Sequence, residues 1–268
     1  MTPPAPPRYT VLGVGVSAVD LGSARDRIMD AARSRSPLGA SALAVHAVME
    51  AQSDPSYRAR LNALDLALAD GQPVRWALNC LHGAGLRERV YGPFLMREVC
   101  AAAALEGISV YLFGGTPELL GRLAARLRTR HPGLRLAGQR ASRFRRATAE
   151  EAREDAAAIR SSGAQVVFCG LGCPRQEAWV HAMTPLIGVP LLGVGAAFSL
   201  WAGDRAMAPR WMQDHGLEWL YRLGQEPRRL ARRYLLQGPG FFLRVGLQRL
   251  GRRPPPLASA EAPSEYWG

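Results

Sequence analysis

The sequence predicts an α/β fold: a parallel sheet covered by helices on both faces, with a basic helical appendage behind it. Three observations predict it. Short apolar runs alternate with segments of helical periodicity up to about Gly203. Glycine-rich turns follow several of those runs, as expected where strand ends feed helices. Beyond Gly203 the alternation stops, and Arg205–Arg253 holds eleven arginines against Asp214, Glu218 and Glu226.

The elements follow in order. Ser41–His46 reads as a strand. Pro55–Leu68 reads as a helix, because Leu61, Leu64 and Leu68 recur at spacings of three and four. Ile108–Phe113 is a strand. Pro117–Arg130 is an amphipathic helix stopped by His131, Pro132 and Gly133. Leu134–Gly138 is a short strand. Thr148–Ser161 is a helix capped by Thr148, with Glu150 and Glu151 in the first turn, where the helix dipole favours negative charge. Gln165–Cys169 is a strand, Pro174–Met183 a helix and Pro190–Val194 a strand. Such β-α alternation argues for a parallel sheet between two helical layers. The predicted divisions are a core over 1–203, a basic helical segment over 204–253, and a tail over 254–268. The tail opens on three prolines and is expected to be disordered.

Composition narrows the class. With 268 residues and 48% hydrophobic residues, the chain can bury a sizeable core. Cys80, Cys100, Cys169 and Cys173 form no short-spaced framework, which fits reduced thiols in the cytoplasm. His46, His82, His131, His181 and His215 stand apart from one another, so no metal site is legible. Met1–Pro7 lacks the charged start and apolar run of a signal peptide. No apolar stretch reaches the ~20 residues of a spanning helix. The expected protein is soluble, or lies on a membrane without crossing it. Net charge is +12, and all 34 basic residues are arginine. That excess favours an anionic partner: nucleic acid, an acidic lipid surface or a phosphorylated substrate.

Three glycine loops sit at predicted strand ends. Phe113-Gly114-Gly115-Thr116 precedes a helix whose free N–H groups suit a phosphate, although a tight turn needs the same glycines. Gly170-Leu171-Gly172-Cys173-Pro174-Arg175-Gln176-Glu177 places Pro174 at a helix start and Gln176 and Glu177 in the first turn. Arg175 there offers a fork to phosphate; a capped helix with solvated polar residues is the alternative. Gly193-Val194-Gly195 admits either a ligand or a close neighbouring backbone. Asp70, in Ala69-Asp70-Gly71-Gln72-Pro73, is placed either as a general base or as an N-cap. No dinucleotide fingerprint, phosphate-loop lysine or nucleophile elbow is present.

Taken in order, the motifs form a series. It runs Asp70-Gly71-Gln72-Pro73, Arg89-Val90-Tyr91-Gly92, Phe113-Gly114-Gly115, Gly170-Leu171-Gly172 with Pro174-Arg175-Gln176-Glu177, and Gly193-Val194-Gly195 with Phe198. Ala208-Pro209-Arg210-Trp211, Gly216-Leu217-Glu218-Trp219, Glu226-Pro227-Arg228-Arg229 and Arg233-Tyr234 complete it. From about Thr10 to Phe242 the series resembles the WecG/TagA/CpsF glycosyltransferase family. The resemblance implies a Rossmann-like core with a helical C-terminal appendage and no cofactor. It implies inverting, metal-independent transfer from a UDP-sugar to an acceptor on a polyprenyl diphosphate, in cell-wall polymer, capsule or exopolysaccharide assembly. Asp70 matches the base. Gln176 matches a substrate contact, with Gln72, Arg89, Gly114, Gly115, Gly170, Gly172, Arg175 and Gly195 around the substrate. Arg222, Arg228, Arg229, Arg232 and Arg233 would hold the diphosphate or an anionic membrane. The chain departs from the pattern at Ala42 and Ala44, where Thr-x-Asn is common, with His46 as a polar substitute. It also departs at Phe94, Ser199 and Met207, where acidic, acidic and arginine residues are usual. These losses point to a divergent branch with another donor or acceptor, or to weakened activity.

Arg222, Arg229 and Arg233 are predicted to share one face of a basic amphipathic helix, with Arg228 and Arg232 beside it. Such a helix fits the inner face of the cell membrane, or else a solvated basic face. A nicotinamide-dependent oxidoreductase lacks its fingerprint, and a nucleic-acid binder lacks a stacking motif or recognition helix. Nucleic acid is therefore not expected as a partner. A homo-oligomer is compatible with the sequence.

Overall fold

A computed structural model describes residues 5–257 and 266–268; the side chains of Arg229, Arg232 and Arg233 lie outside that description. Strand β1 (Arg8–Val11) pairs antiparallel with β2 (Val14–Ser17) across Leu12 and Gly13, both at positive φ. A two-residue turn of this hand matches the twist of the strands, and Gly13 takes its half without strain. The remaining sheet strands are β3 (Leu38–Leu43), β4 (Leu66–Ala69), β5 (Ser109–Phe113), β6 (Arg135–Arg140), β8 (Val166–Cys169) and β9 (Pro190–Gly193). The order is β1-β2-β4-β3-β9-β8-β5-β6, parallel from β2 to β6. Outside this sheet, β7 (Arg146–Ala147) pairs with β10 (Tyr266–Trp267).

Both faces of the sheet are covered. Helices α2 (Val45–Ser53), α3 (Pro55–Ala63), α4 (Gln72–His82), α7 (Ala149–Ser161) and α8 (Arg175–Ile187) share one apolar core. Helices α1 (Leu21–Ser34), α5 (Gly92–Glu106), α6 (Pro117–Arg130) and α9 (Ala197–Ala202) share the other. Strand side chains alternate between them: Tyr111 and Phe113 enter the first, Val110 and Leu112 the second. The expected parallel sheet with two helical layers is the observed architecture. The Thr148 cap is present as a full box: Thr148 Oγ1 accepts the Glu151 amide at 3.2 Å, and Glu151 Oε2 accepts the Thr148 amide at 2.9 Å.

Two predicted elements are corrected. The strand read over Ser41–His46 ends at Leu43; Ala44 caps α2, so His46 is helical. The helix read over Pro55–Leu68 stops at Ala63, and Leu66–Ala69 is β4. A strand buried on both faces carries apolar residues without alternation, so its leucines prolonged the helical spacing. Asp65 fixes the break, its carboxylate accepting the Gly39 amide of β3 at 2.7 Å.

Beyond Gly203 the chain forms α10 (Arg210–Asp214), α11 (Glu218–Gln225), α12 (Pro227–Arg232), a π-helical turn (Arg233–Gln237) and α13 (Gly238–Arg249). The appendage is packed onto the core. Phe241 and Val245 of α13 join the apolar cluster under α4. Gln248 brackets the hairpin, accepting the Leu12 amide and donating to the Thr10 carbonyl, both at 2.9 Å. Pro227 divides α11 from α12, so Arg222 does not share a continuous helix with residues 229 and 233. Residues 258–265 of the tail lie outside the described residues, and the last residues pair with β7.

Candidate active site

In a parallel sheet the turns after each strand gather at one edge, where open α/β folds bind ligands. Register sets those ends level: Leu43 faces Ala69, Ser41 and Cys169 face Gly193, and Phe113 faces Cys169. The turns carrying Asp70, Ala44, Gly195, Gly170 and Gly114 therefore stand side by side.

Asp70 follows β4, and its amide donates to the Leu43 carbonyl at 3.2 Å. Asp70 Oδ1 accepts the Gly92 amide at 2.8 Å, whereas Oδ2 has no hydrogen-bond partner among the described residues. Gly71, not Asp70, caps α4, so the N-cap alternative falls away. The residue is half-buried, and its carboxyl is enclosed enough for desolvation to push its pKa up to about 6. Arg89, the Gly92 amide and Arg222 pull it down, and Glu218 pushes it up.

A second acid faces this one. Glu218 opens α11, and only 9% of its side chain is exposed. Its Oε2 pairs with Nη2 of Arg89, and its Oε1 accepts the Tyr91 hydroxyl at 2.8 Å. Arg222 approaches the same Oε1 at 3.9 Å. The Arg89 guanidinium lies over the Tyr91 ring, 4.1 Å from its centroid. Arg222 thus turns inward, toward Glu218 and Asp70. Arg228 is exposed. Arg229, Arg232 and Arg233 lie outside the described residues where their side chains are concerned.

Gly92 joins Asp70 to the next loop. A Cβ on Gly92 would stand 3.0 Å from the Val194 carbonyl oxygen and 3.4 Å from the Ala42 methyl. On the far side of that contact, Gln176 lies buried under Gly193 and Gly195. Its Nε2 donates to Glu177 Oε1 at 2.8 Å and reaches Ser41 Oγ at 3.3 Å. Its Oε1 is buried with no partner among the described residues. Gln176 therefore presents an acceptor toward the Gly195 turn, where a Cβ would come within 3.3 Å of Oε1. Glu177 also accepts from Ser41 Oγ at 3.0 Å and Tyr57 Oη at 3.1 Å, and burial raises its pKa.

Other predicted residues are placed as follows. Gln72, the first residue of α4, reaches the Gln213 carbonyl at 3.4 Å and accepts from Arg75 Nε at 2.7 Å. His46 Nδ1 meets Gln237 Oε1 at 2.9 Å, so it faces the appendage. Gly114 and Gly115 hold positive φ, and Gly114 abuts the Gly170–Leu171 backbone. A Cβ on Gly170 would fall 2.4 Å from the Phe198 ring, so packing requires this glycine. Gly172 (φ 78°) borders open space. Arg175 turns back, donating to the Leu171 carbonyl at 3.2 Å with Trp267 beside it. Sequence reasoning placed Glu177 in the first turn of its helix, near any ligand there, but did not assign Glu218, Tyr91, Ser41 or Tyr57 to the site. For Glu218 the available signal was its place in the Gly216-Leu217-Glu218-Trp219 motif, one of three acids in an arginine-rich segment.

The sequence matches the glycosyl transferase WecG/TagA/CpsF family over residues 9–255, nearly the whole chain.

Proposed function

The chain belongs to that glycosyltransferase family, whose members act in cell-surface polysaccharide synthesis, and we propose that it transfers a hexosyl or N-acetylhexosaminyl group from a UDP-sugar to a polyprenyl-diphosphate-linked acceptor. The observation that carries the reading is Asp70, a desolvated carboxylate with one free oxygen at the edge where five strand turns meet. A base with pKa near 6 is ionised at neutral pH and still a useful proton acceptor.

The proposed step is a single displacement. Asp70 Oδ2 takes the proton of the acceptor hydroxyl as its oxygen bonds the anomeric carbon. The bond from that carbon to the diphosphate breaks, the electron pair leaves with UDP, and configuration inverts. Backbone amides at the glycine turns and guanidinium groups meet the leaving charge without a metal ion. Asp70→Asn is expected to abolish transfer to a prenyl-diphosphate acceptor while UDP still stabilises the protein. Unchanged turnover in that variant removes the base assignment. Stabilisation by NAD or a DNA duplex but not by UDP would favour an oxidoreductase or a nucleic-acid binder instead.

A lipid-linked acceptor would put the reaction at a membrane surface, and the cytoplasmic face is part of this reading. No helix among the described residues is long and apolar enough to cross a membrane. The appendage, though, exposes large apolar side chains: Leu235 57%, Leu236 67%, Leu243 67% and Leu250 85%. Exposed Arg228, Arg244 and Arg249 interleave with them. On α13, Phe241 and Val245 face the core while Phe242 and Leu243 face outward, so the helix is apolar on two sides. That pattern fits a helix lying on anionic lipid. Leu236→Glu with Leu243→Glu should release the full chain from anionic liposomes in co-sedimentation. Undiminished binding would exclude this face.

A further inference from the structure

We propose that Glu218 is a positioning residue that holds the Arg89 guanidinium off the Asp70 carboxylate, keeping Oδ2 open for a proton. The inference rests on the reading of Asp70 as the base.

The geometry poses a specific hazard. Arg89 is mostly buried, with 11% of its side chain exposed, and its Nη1 stands 3.5 Å from the Asp70 carbonyl oxygen. An arginine whose charge acts on a desolvated carboxylate ordinarily pairs with it, often through both oxygens. Such a pair would occupy Oδ2 and favour the ionised form so strongly that the carboxylate would be a poor base. In the structure the pair does not form. Nη2 of Arg89 goes to Glu218 Oε2, and the guanidinium carbon lies over the Tyr91 ring. Tyr91 is itself held by Glu218 Oε1 at 2.8 Å. One carboxylate thus fixes both the cation and the ring that supports it.

Glu218 reaches the site from α11, 129 residues along the chain from Arg89. The charged or titratable groups facing Asp70 are Arg89 and Tyr91 from the turn before α5, and Glu218 and Arg222 from α11. Removing the charge of Glu218 acts twice in one direction. It deletes a like charge that disfavours ionised Asp70, and it frees a cation that favours it. Both lower the pH at which Asp70 loses its proton.

The test is a titration of Asp70 by carbon-13 carboxyl resonances in the full chain, assigned with Asp70→Asn, alongside the pH profile of kcat/KM. Glu218→Gln keeps an acceptor for Tyr91 but releases Arg89. Its Asp70 midpoint is expected to fall by about one pH unit or more, with the acid limb of kcat/KM moving the same way. Glu218→Asp keeps the charge and shortens the reach; a smaller fall is expected there, and this milder variant serves if Glu218→Gln does not fold. A midpoint that stays in place, or rises, in a folded variant overturns the proposal. The two readings fail separately. Turnover that survives Asp70→Asn removes the base, whereas an unmoved resonance midpoint removes the role of Glu218.

Discussion

Asp70→Asn should stabilise the folded chain at alkaline pH while it stops transfer. In the fold the Asp70 carboxyl titrates at about 6, against 3.8 for an ordinary aspartate. A gap of about two pH units at about 1.4 kcal/mol each is worth up to about 3 kcal/mol. The sign follows from the direction of the shift. A raised carboxyl pKa means that the fold holds the proton more tightly than the unfolded chain does. Its favourable contribution is complete below 3.8 and is lost as pH rises through about 6. Asparagine cannot ionise, and its Oδ1 can still accept the Gly92 amide that Asp70 accepts at 2.8 Å. The variant should therefore gain up to about 3 kcal/mol near pH 8, or roughly 5–10 °C in Tm, and almost nothing near pH 4. Urea unfolding of both proteins across that range measures it. A gain that is the same at both ends would refute the raised pKa, and with it the physical reason for choosing Asp70 as the base.

Two substitutions test the packing that builds the site. Gly170→Ala brings a methyl within 2.4 Å of the Phe198 ring and should cost about 1–3 kcal/mol with little change in the donor KM; a raised KM at unchanged Tm would restore ligand approach as the reason for this glycine. Phe241→Ala empties a fully buried position between α13 and the core and should cost about 3–5 kcal/mol. It should also speed hydrogen exchange at the Leu12 amide, which Gln248 of α13 accepts at 2.9 Å; unchanged exchange would mean that α13 is held by other contacts.

What was legible in the sequence was local in origin. Thr148 with Glu151, and Pro117 running to Arg130, announce helices through caps and periodicity, and both helices form there. Leu66–Ala69 was hidden because a doubly buried strand has no period of its own. What makes it a strand is pairing with β3 and the grip of Asp65 on Gly39, neither of which is a property of neighbouring residues. The same limit applies in the site. Asp70 stands out beside a glycine and a proline, but its environment is set by Arg89, Gly92 and Glu218, which come from distant segments.

The arginine-rich segment shows why composition alone misassigns roles. Summed over 204–253 it reads as one basic face. Folded, it divides. Arg222 turns inward to Glu218, beside the buried pair that Glu218 forms with Arg89, whereas Arg244 and Arg249 stay outside among exposed leucines. Pro227 enforces the division by ending α11 one turn after Arg222. At three positions where the resemblance implies other residues, the side chains are engaged within the fold. The Ala42 methyl lies against Gly92, and Ser199 Oγ is bonded to the Ala196 carbonyl within its own helix at 3.1 Å. Phe94 packs edge-on against Tyr91 at 5.2 Å between centroids, bracing the ring that carries Arg89. At this edge the polar atom left facing the Gly195 turn is Gln176 Oε1, an acceptor, because Ser41 and Glu177 engage its amide hydrogens. A ligand group satisfying it must donate a hydrogen bond. A sugar hydroxyl or acetamido N–H can do so, and an ionised phosphate oxygen cannot.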